Sequence, residues 1–254
     1  MTLKRWLEFT FRRPRIIAVI AVKNEERYLP GFFSHLRGFV DGFVVLDDAS
    51  SDATPDIIAR EEKVLSFLRN PPGSCPYKKG WDEKGNRMKL LAEARRFGDV
   101  ALCCDADERF SRRFLAQLPK SAARAARHER TAYAVAVREL WDAPDTWRCD
   151  GIWAKKRKEV LFSLAPEMTF ERTMTRQHHI PWYHDGIKKC RMVPGGELFH
   201  LKMIRPEERQ RRAEFYESID PGHKMQAIGY AYLADPAGLE LKKISPSDYD
   251  WSSV

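Results

Sequence analysis

The feature that most constrains the fold is an uninterrupted apolar run, Ile16 to Val22, which is rich in β-branched residues and is flanked by Arg15 and Lys23. Its seven residues are too few for a membrane-spanning helix, which needs about 18 to 20. A β-branched run without polar alternation is typical of a strand that is buried on both faces of a parallel sheet. The run therefore predicts a central sheet that is covered on both sides.

Helix and strand patterns alternate after this run. Apolar residues at steps of three and four predict a helix over residues 27 to 39, and Phe43 to Leu46 predicts a second strand. Thr54-Pro55 is typical of an N-cap followed by a proline in the first helical turn. The next predicted elements are a strand at residues 64 to 68, a helix at 83 to 97 and a strand at 100 to 104. This alternation predicts an open, mostly parallel α/β sheet that binds ligands beyond the carboxyl ends of its strands.

The pattern weakens after about residue 130. Strands are predicted at residues 132 to 137 and 159 to 164, and helices at 206 to 218 and 223 to 233. The chain shows no internal repeat and no low-complexity linker. We therefore expect a short basic N-terminal segment, residues 1 to 14, followed by one compact domain over residues 15 to 254.

The charge balance leaves three kinds of partner open. The chain has 44 Lys and Arg against 36 Asp and Glu, a formal net charge of +8, which is compatible with nucleic acid, an anionic membrane surface or a phosphorylated substrate. With 31% charged and 43% hydrophobic residues, the composition excludes a disordered chain. The five cysteines form neither a CxxC pair nor a disulfide framework, so we expect reduced thiols and a cytoplasmic location.

Two groups of carboxylates follow predicted strands. Asp105-Ala106-Asp107-Glu108 comes directly after the strand at 100 to 104, and Asp47-Asp48 ends the second strand. Divalent cations prefer oxygen ligands, and a metal that bridges diphosphate oxygens needs only one or two protein carboxylates. The alternative is that these carboxylates, with Ser50, Ser51 and Asp52, cap helices and satisfy turn amides.

The turn after the first strand, Lys23 to Arg27, contains no glycine. A dinucleotide-binding domain needs G-x-G-x-x-G at this point, so that the backbone can approach a pyrophosphate. The turn therefore favours a metal contact or a base-and-sugar contact. Asn86 and Arg87, near the start of the predicted helix at 83 to 97, are candidates for phosphate or sugar oxygens. The alternative for Arg87 is a solvated helix charge.

Together these motifs resemble the family 2-like inverting glycosyltransferases of the GT-A fold. The resemblance extends over residues 15 to 115 and is carried by four strings in order: Ala21 to Glu26, Val45 to Thr54, Asn86-Arg87 and Cys104 to Glu108. It implies a three-layer sandwich in which residues 15 to 115 bind the nucleotide sugar and residues 116 to 254 face the acceptor.

The resemblance also implies roles for individual residues. Ala21, Glu25 and Asp48 would bind the nucleotide, usually uridine, and Asn86 and Arg87 would lie near its diphosphate, which would reach a metal at Asp105 and Asp107. Asp105 and Asp107 would be the metal-binding DxD pair. Glu197 to Leu201 resembles a segment that returns a histidine to the metal, which makes His200 a third ligand or, alternatively, a hydrogen-bonded structural residue. An imidazole suits Mn²⁺, whereas Mg²⁺ prefers an all-oxygen shell.

An inverting transfer needs a base that takes the proton of the acceptor hydroxyl. Asp185 falls at a fitting distance after the DxD pair and is our candidate, with Glu167, Asp150 and Glu197 as rivals. The Gln-x-x-Arg-Trp motif and the membrane helices of processive polysaccharide synthases are missing. The resemblance therefore implies the addition of a single sugar.

The resemblance thus implies a metal-dependent, inverting transferase that moves a sugar from a nucleotide sugar, a UDP-sugar, to a glycan or lipid-linked glycan, as in lipopolysaccharide or polysaccharide biosynthesis. Two alternatives stay open: a basic protein that binds a membrane or nucleic acid surface, and an inactive nucleotide-sugar binder. We expect no nucleic acid partner, because no nucleic-acid-binding motif with interleaved aromatic residues is present.

Basic residues are concentrated in three tracts. Residues 1 to 15 carry five basic side chains against Glu8, interleaved with Trp6, Leu7, Phe9 and Phe11, a pattern that suits a membrane surface. Residues 109 to 130 carry seven against Glu129, and Lys155 to Lys158 form a third tract; such tracts are typical of solvated faces. We predict a basic rim around an acidic metal site, in contact with an anionic acceptor or the inner face of a membrane.

Overall fold

The computed structural model describes residues 12–76, 81–164 and 181–249. Its strands are β1 Ile16–Val22, β2 Gly42–Asp47, β3 Val64–Arg69, β4 Val100–Cys103, β5 Glu108–Phe110, β6 Thr131–Glu139, β7 Thr146–Arg148, β8 Arg157–Ser163, β9 Lys189–His200 and β10 Leu241–Lys243. The α-helices of these ranges are α1 Leu29–Leu36, α2 Thr54–Arg60, α3 Glu83–Ala94, α4 Arg112–Arg127 and α5 Pro206–Ile219.

Eight strands form one sheet in the order β3-β2-β1-β4-β8-β6-β9-β5, and β7 pairs with β10 in a small antiparallel sheet. Strand β1 is parallel to β2 and β4, and β3 is parallel to β2. Strand β8 runs antiparallel to β4 and β6, whereas β9 is parallel to β6 and antiparallel to β5. The predicted mostly parallel α/β sheet is therefore confirmed, and the carboxyl ends of β1, β2 and β4 meet at one edge.

The side chains of β1 alternate between two buried layers because successive residues of a strand point to opposite faces. One set packs with α1 and α4, and the other packs with α3. The first set is Ile16, Ala18, Ile20 and Val22, and the second contains Ile17 and Val19. Burial on both faces explains the unbroken apolar run and confirms the three-layer sandwich.

The antiparallel strand β8 begins at the edge where β4 ends. In the β4–β8 register Leu102 lies opposite Leu161. Continuing this register past the end of β4 brings Lys158 opposite Asp105. The start of β8 therefore contributes side chains to the same edge as the acidic loop after β4.

The helix predicted over residues 223 to 233 is wrong. The structure has turns there and a single 3₁₀ turn, Ala231–Leu233. The carboxylate of Asp220 accepts the backbone N–H groups of Lys224 and Met225 at 2.8 and 3.0 Å and the hydroxyl of Tyr230 at 2.9 Å. Such local bonds from side chain to backbone compete with the hydrogen bonds of a helix.

The predicted N-cap at Thr54 is also wrong, because α2 already begins at Thr54 and Ala53 is in the cap position. The hydroxyl of Thr54 instead accepts the backbone N–H of Glu25 at 2.8 Å. Thr54 therefore joins the turn after β2 to the turn after β1.

The described part of the N-terminal segment is held by ion pairs. Arg12 pairs with Asp99 at 2.9 Å and Arg13 with Asp41 at 2.7 Å, at the start of β1 and away from the carboxyl edge. The aromatic residues of this segment lie outside the described residues. None of the helices in the described ranges has the length and apolarity to cross a membrane.

Candidate active site

A cavity of about 890 Å³ lies at the carboxyl ends of β1, β2 and β4, between the start of α3, the start of β8 and helix α5. Of the nine side chains predicted to form the site, eight line this cavity. They are Ala21, Glu25, Asp48, Asn86, Arg87, Asp105, Asp107 and His200. Residues separated by as much as 179 positions in the chain, Ala21 and His200, are thus brought together.

The turns after β1 and β2 bind one another and form one wall of the cavity. The N–H of Asn24 donates to Ser50 Oγ at 2.8 Å, and the N–H of Ser51 donates to Asn24 Oδ1 at 2.8 Å. Asn24 has a left-handed backbone, with φ of 55°, which asparagine tolerates better than most residues. Ser50 therefore has the alternative role of satisfying a turn amide, whereas the amide of Ser51 is itself satisfied by the side chain of Asn24.

Asp48 lies at the end of β2 with one carboxylate oxygen bound and one free. Its Oδ1 accepts the side-chain amide of Asn70 at 2.6 Å, and the same amide nitrogen donates to Asn86 Oδ1 at 2.7 Å. Asp48 Oδ2 is buried and has no hydrogen-bond partner. Because an unpaired buried acceptor is costly, this oxygen is suited to a ligand N–H or O–H. Sequence reasoning missed Asn70, for which only its position after β3 was a signal.

Arg87 is buried against Trp182 and is not the solvated helix charge of the alternative interpretation. Its guanidinium lies 4.6 Å from the centre of the Trp182 ring, and Nη2 pairs with Glu83 at 2.6 Å. The other terminal nitrogen, Nη1, is buried without a partner. Arg87 can therefore offer one fixed, charged donor to a phosphate oxygen.

The carboxylate of Asp107, the imidazole of His200 and the carboxylate of Glu139 form a buried row. Asp107 Oδ2 lies 2.9 Å from His200 Nε2, and His200 Nδ1 lies 2.5 Å from Glu139 Oε2. Burial lowers the pKa of His200, but the charges of Glu139 and Asp107 outweigh it and raise the pKa to about 10. Glu139 was missed from the sequence; the β6–β9 register places it beside His200.

Lys158 lies between Asp105 and Glu108. Its ammonium nitrogen is 2.8 Å from Asp105 Oδ2 and 2.6 Å from Glu108 Oε2. On the other side of the cavity, Lys202 pairs with Glu25 at 2.7 Å and lies 3.8 Å from Asp107 Oδ2. Burial raises the pKa of Glu25 to about 7, helped by Asp107 and opposed by Lys202.

The tract Lys155 to Lys158 is therefore not uniformly a solvated face. Lys156 pairs with Glu139 at 2.8 Å and lies 4.0 Å from the centre of the Trp153 ring. Lys158 makes the contacts described above, whereas Lys155 is exposed. Alternation along the start of β8 explains why two of the four basic side chains turn inward.

Arg109 is fully buried and does not belong to a basic rim. Its guanidinium donates to the carbonyls of Ala106 and Glu108 at 2.7 and 2.9 Å and to the carbonyl of Tyr28 at 3.0 Å. Arg109 thus holds the acidic loop, residues 105 to 108, in place and links it to Tyr28, the residue before α1.

The carboxylate oxygens and the imidazole nitrogen at this edge are atoms that a divalent cation binds, but they do not surround one common position. Within the described ranges, no three His, Cys, Asp or Glu side chains form a cluster that could hold a metal ion. Lys158 covers Asp105, and His200 contacts Asp107 directly. The Asp105 side chain is 45% exposed, so it can exchange Lys158 for another cation. The residues fit a metal on the condition that this exchange occurs.

The structure does not place the candidate bases at the cavity. Asp185 is absent from its lining, as are Asp150, which pairs with Arg148 at 2.8 Å, and Glu197, which pairs with Arg138 at 2.6 Å. Glu167 lies outside the described residues. The assignment of Asp185 therefore stays a prediction.

Aromatic rings lie on the side of the cavity formed by α5. Trp81 and Phe215 are stacked, with ring centres 5.3 Å apart and planes 2° apart, and both line the cavity together with Trp182. Trp141 and Trp153 are buried in an apolar cluster against which Trp81 and Phe215 pack. Trp182 is buried under the guanidinium of Arg87, so Trp81 and Phe215 offer the apolar surface on which a sugar ring stacks.

The family model described as "Glycosyl transferase family 2" matches residues 17–186. A search of curated protein sequences found no significant match.

Solved structures to which this chain is similar include a mannosyltransferase and a synthase. A mannosyltransferase from Pyrobaculum calidifontis, solved with GDP-Man and Mn²⁺, is 17% identical over 91% of this chain and 74% of its own, with a TM-score of 0.45. Glucosyl-3-phosphoglycerate synthase from Mycobacterium tuberculosis, solved with Mn²⁺, UDP and glucosyl-3-phosphoglycerate, is 18% identical over 55% of this chain, with a TM-score of 0.37. This chain covers 48% of that synthase. Because the family model matches about two thirds of its residues, the chain belongs to glycosyl transferase family 2.

Proposed function

We propose that this protein transfers a single sugar, with inversion, from a UDP-sugar to a glycan or lipid-linked glycan acceptor, and that it requires Mn²⁺ or Mg²⁺. The acceptor would be used in lipopolysaccharide or polysaccharide biosynthesis, in the cytoplasm or at the inner face of a membrane. Membership of a glycosyltransferase family supports the reaction type. The donor, the acceptor, the stereochemistry and the location are our proposals.

One observation carries the proposal: the buried, unpartnered polar atoms of the cavity lining include a carboxylate oxygen and a guanidinium nitrogen. Asp48 Oδ2 is a free acceptor and Arg87 Nη1 a free donor, and both residues line the cavity. A nucleoside diphosphate satisfies both, because its base and ribose carry N–H and O–H groups and its phosphates carry oxygens. Asn70 bonds Asp48 directly and Asn86 bonds Asn70, so Asp48 is held in position before a ligand arrives.

We propose that Asp105, Asp107 and His200 hold the divalent cation. When bound, this cation stabilises the negative charge that develops on the departing diphosphate. Glu139, which contacts the other ring nitrogen of His200, fixes the orientation of the imidazole. His200 must give up the proton of the ring nitrogen that would bind the cation.

The acceptor would lie against helix α5, where Trp81 and Phe215 form an apolar surface beside the basic side chains Arg211 and Arg212. Apolar and cationic surfaces next to one another suit a glycan that bears a phosphate or lipid diphosphate. Asp185 stays our candidate for the base, on the condition that acceptor binding brings it to the cavity.

The test is calorimetric titration with UDP, UDP-sugars and GDP-sugars, with and without Mn²⁺, followed by assay of donor hydrolysis. We expect metal-dependent binding that is lost in the double variant Asp105→Asn/Asp107→Asn and retained in Asp56→Asn, whose side chain is exposed on α2. The proposal fails if the wild type binds no nucleotide sugar, or if the double variant behaves like the wild type.

Further measurements separate the finer proposals. The anomeric configuration of the product, followed by NMR, tests inversion. Asp185→Asn should lose transfer and keep donor binding; loss of folding would assign Asp185 a structural role. Binding without turnover on any acceptor would favour the inactive binder. Salt-sensitive binding to anionic vesicles that is weakened by deletion of residues 1 to 13 would support membrane contact.

A further inference from the structure

We propose that Lys158 binds the nucleotide sugar and that its ammonium group has two positions. In the first position it pairs with both Asp105 and Glu108. In the second, when nucleotide sugar and cation bind together, it leaves Asp105 and contacts the diphosphate. This inference rests on the proposed function. It assigns a role to a residue that sequence reasoning placed in a solvated tract.

The contacts of Lys158 distinguish a permanent partner from an exchangeable one. Its nitrogen lies 2.7 and 2.6 Å from the two carboxylate oxygens of Glu108 and 2.8 Å from one oxygen of Asp105. The Glu108 side chain is 6% exposed, and its Oε2 also accepts the backbone N–H of Asp105 at 2.7 Å. The Asp105 side chain is 45% exposed. Glu108 is therefore the anchor of the ammonium group, and Asp105 is the contact that can be released.

The charges around Lys158 explain why release needs a nucleotide. Nine carboxylates line the cavity against eight Lys and Arg side chains and His200, so the charges of the lining are already close to balanced. The carboxylates are Glu25, Asp48, Glu83, Asp105, Asp107, Glu108, Glu139, Glu159 and Glu208, and the basic side chains are Lys23, Arg87, Lys156, Arg157, Lys158, Lys202, Arg211 and Arg212. A divalent cation alone would add a large excess of positive charge next to Lys158 and Lys202. A diphosphate supplies the negative charge that offsets it.

The diphosphate also gives the ammonium group a new partner. The ammonium group of Lys158 lies within 2.8 Å of the carboxylates of Asp105 and Glu108, and these ion pairs favour its charged form. Lys158 lines the same cavity as Arg87, whose Nη1 is free. An ammonium that swings from Asp105 to a phosphate oxygen keeps its contact with Glu108 and frees Asp105 for the cation.

This inference predicts effects of opposite sign in one variant, Lys158→Met. Affinity for Mn²⁺ without nucleotide, measured by electron paramagnetic resonance, should rise about tenfold, because Asp105 loses its competing cation. Affinity for UDP at saturating Mn²⁺, measured by calorimetry, should fall about tenfold, because one charged donor to the diphosphate is lost. Lys158→Arg keeps the charge and should leave Mn²⁺ affinity close to that of the wild type.

Two further variants test whether the effects come from the contacts of Lys158 and not from a general loss of charge or of folding. Lys155→Met removes an exposed charge three positions away and should change neither affinity. If Lys158→Met does not fold because Glu108 is left buried without a counter-charge, Lys158→Met/Glu108→Gln removes both charges and should still bind Mn²⁺ more tightly than the wild type.

The inference is overturned if the loss of Lys158 lowers both affinities, raises both or leaves both unchanged in a folded protein. Failure of the proposed function looks different, because the wild type would then bind no nucleotide at all. The Mn²⁺ measurement without nucleotide would still show whether Lys158 shields Asp105.

Discussion

Replacement of Arg109 by methionine tests whether one buried cation supports the acidic loop. The fully buried guanidinium donates three hydrogen bonds to backbone carbonyls, two of them within the segment Asp105 to Glu108. A hydrogen bond to a charged group contributes about 1.5–3 kcal/mol. Methionine fills similar space but cannot donate, so the carbonyls of Ala106, Glu108 and Tyr28 lose these bonds.

The net loss is smaller than the sum of three such bonds, because the variant no longer buries a charge. Burial lowers the pKa of Arg109, which shows that the folded protein disfavours the charge at this position. A buried carbonyl left without its partner costs about 1–3 kcal/mol, so three such carbonyls, offset by the removal of the buried charge, should cost about 3–5 kcal/mol. At about 2–4 °C per kcal/mol for a domain of this size, the melting temperature should fall by roughly 6–20 °C.

Urea unfolding followed by circular dichroism measures this loss. The matched control is Arg112→Met, which removes an exposed guanidinium at the start of α4 and should change the free energy of unfolding by less than about 0.5 kcal/mol. Arg109→Lys keeps the charge without the forked donor geometry and should fall between the two. A value for Arg109→Met within about 1 kcal/mol of the wild type would refute the reasoning.

Three further predictions concern other buried groups. Glu139→Gln should weaken Mn²⁺ binding in the presence of UDP by about 10- to 100-fold, because His200 loses its charged partner; unchanged paramagnetic resonance titrations would contradict this. Trp141→Ala should cost about 3–5 kcal/mol in urea unfolding, since its buried ring lies 3.9 Å from the guanidinium of Arg209 and 4.6 Å from that of Arg148; the exposed Ile228→Ala is the control. Burial lowers the pKa of His184 in the folded protein. The contribution of His184 to stability should therefore be fully present above the unfolded pKa of about 6.5 and be lost as the pH falls through the lower folded pKa. His184→Gln should make the melting temperature depend less steeply on pH, and an unchanged slope would contradict this prediction.

The apolar run Ile16 to Val22 and the alternation that follows it predicted the layered sheet correctly. A strand that is buried on both faces needs consecutive apolar residues, and such a run can be recognised in the sequence. The same argument predicted the position of the candidate site. Parallel strands bring their carboxyl ends to one edge whatever the length of the connections, so Asp48 and Asp105 line one cavity although they lie 57 positions apart in the sequence. Helix prediction over residues 223 to 233 failed where the side chain of Asp220 binds the backbone.

What only the tertiary structure decided is the pairing of charges. Lys158 reaches Asp105 because β8 runs antiparallel to β4 in one particular register, and Glu139 reaches His200 because β6 and β9 are paired at their ends. Arg109 lies in a basic tract but is buried under the loop that it supports. Apolar periodicity predicts which residues are buried, because the regular geometry of a helix or strand decides which of its side chains face the core. Charge pairing depends on the relative register of distant elements, and no local pattern in the sequence carries that information.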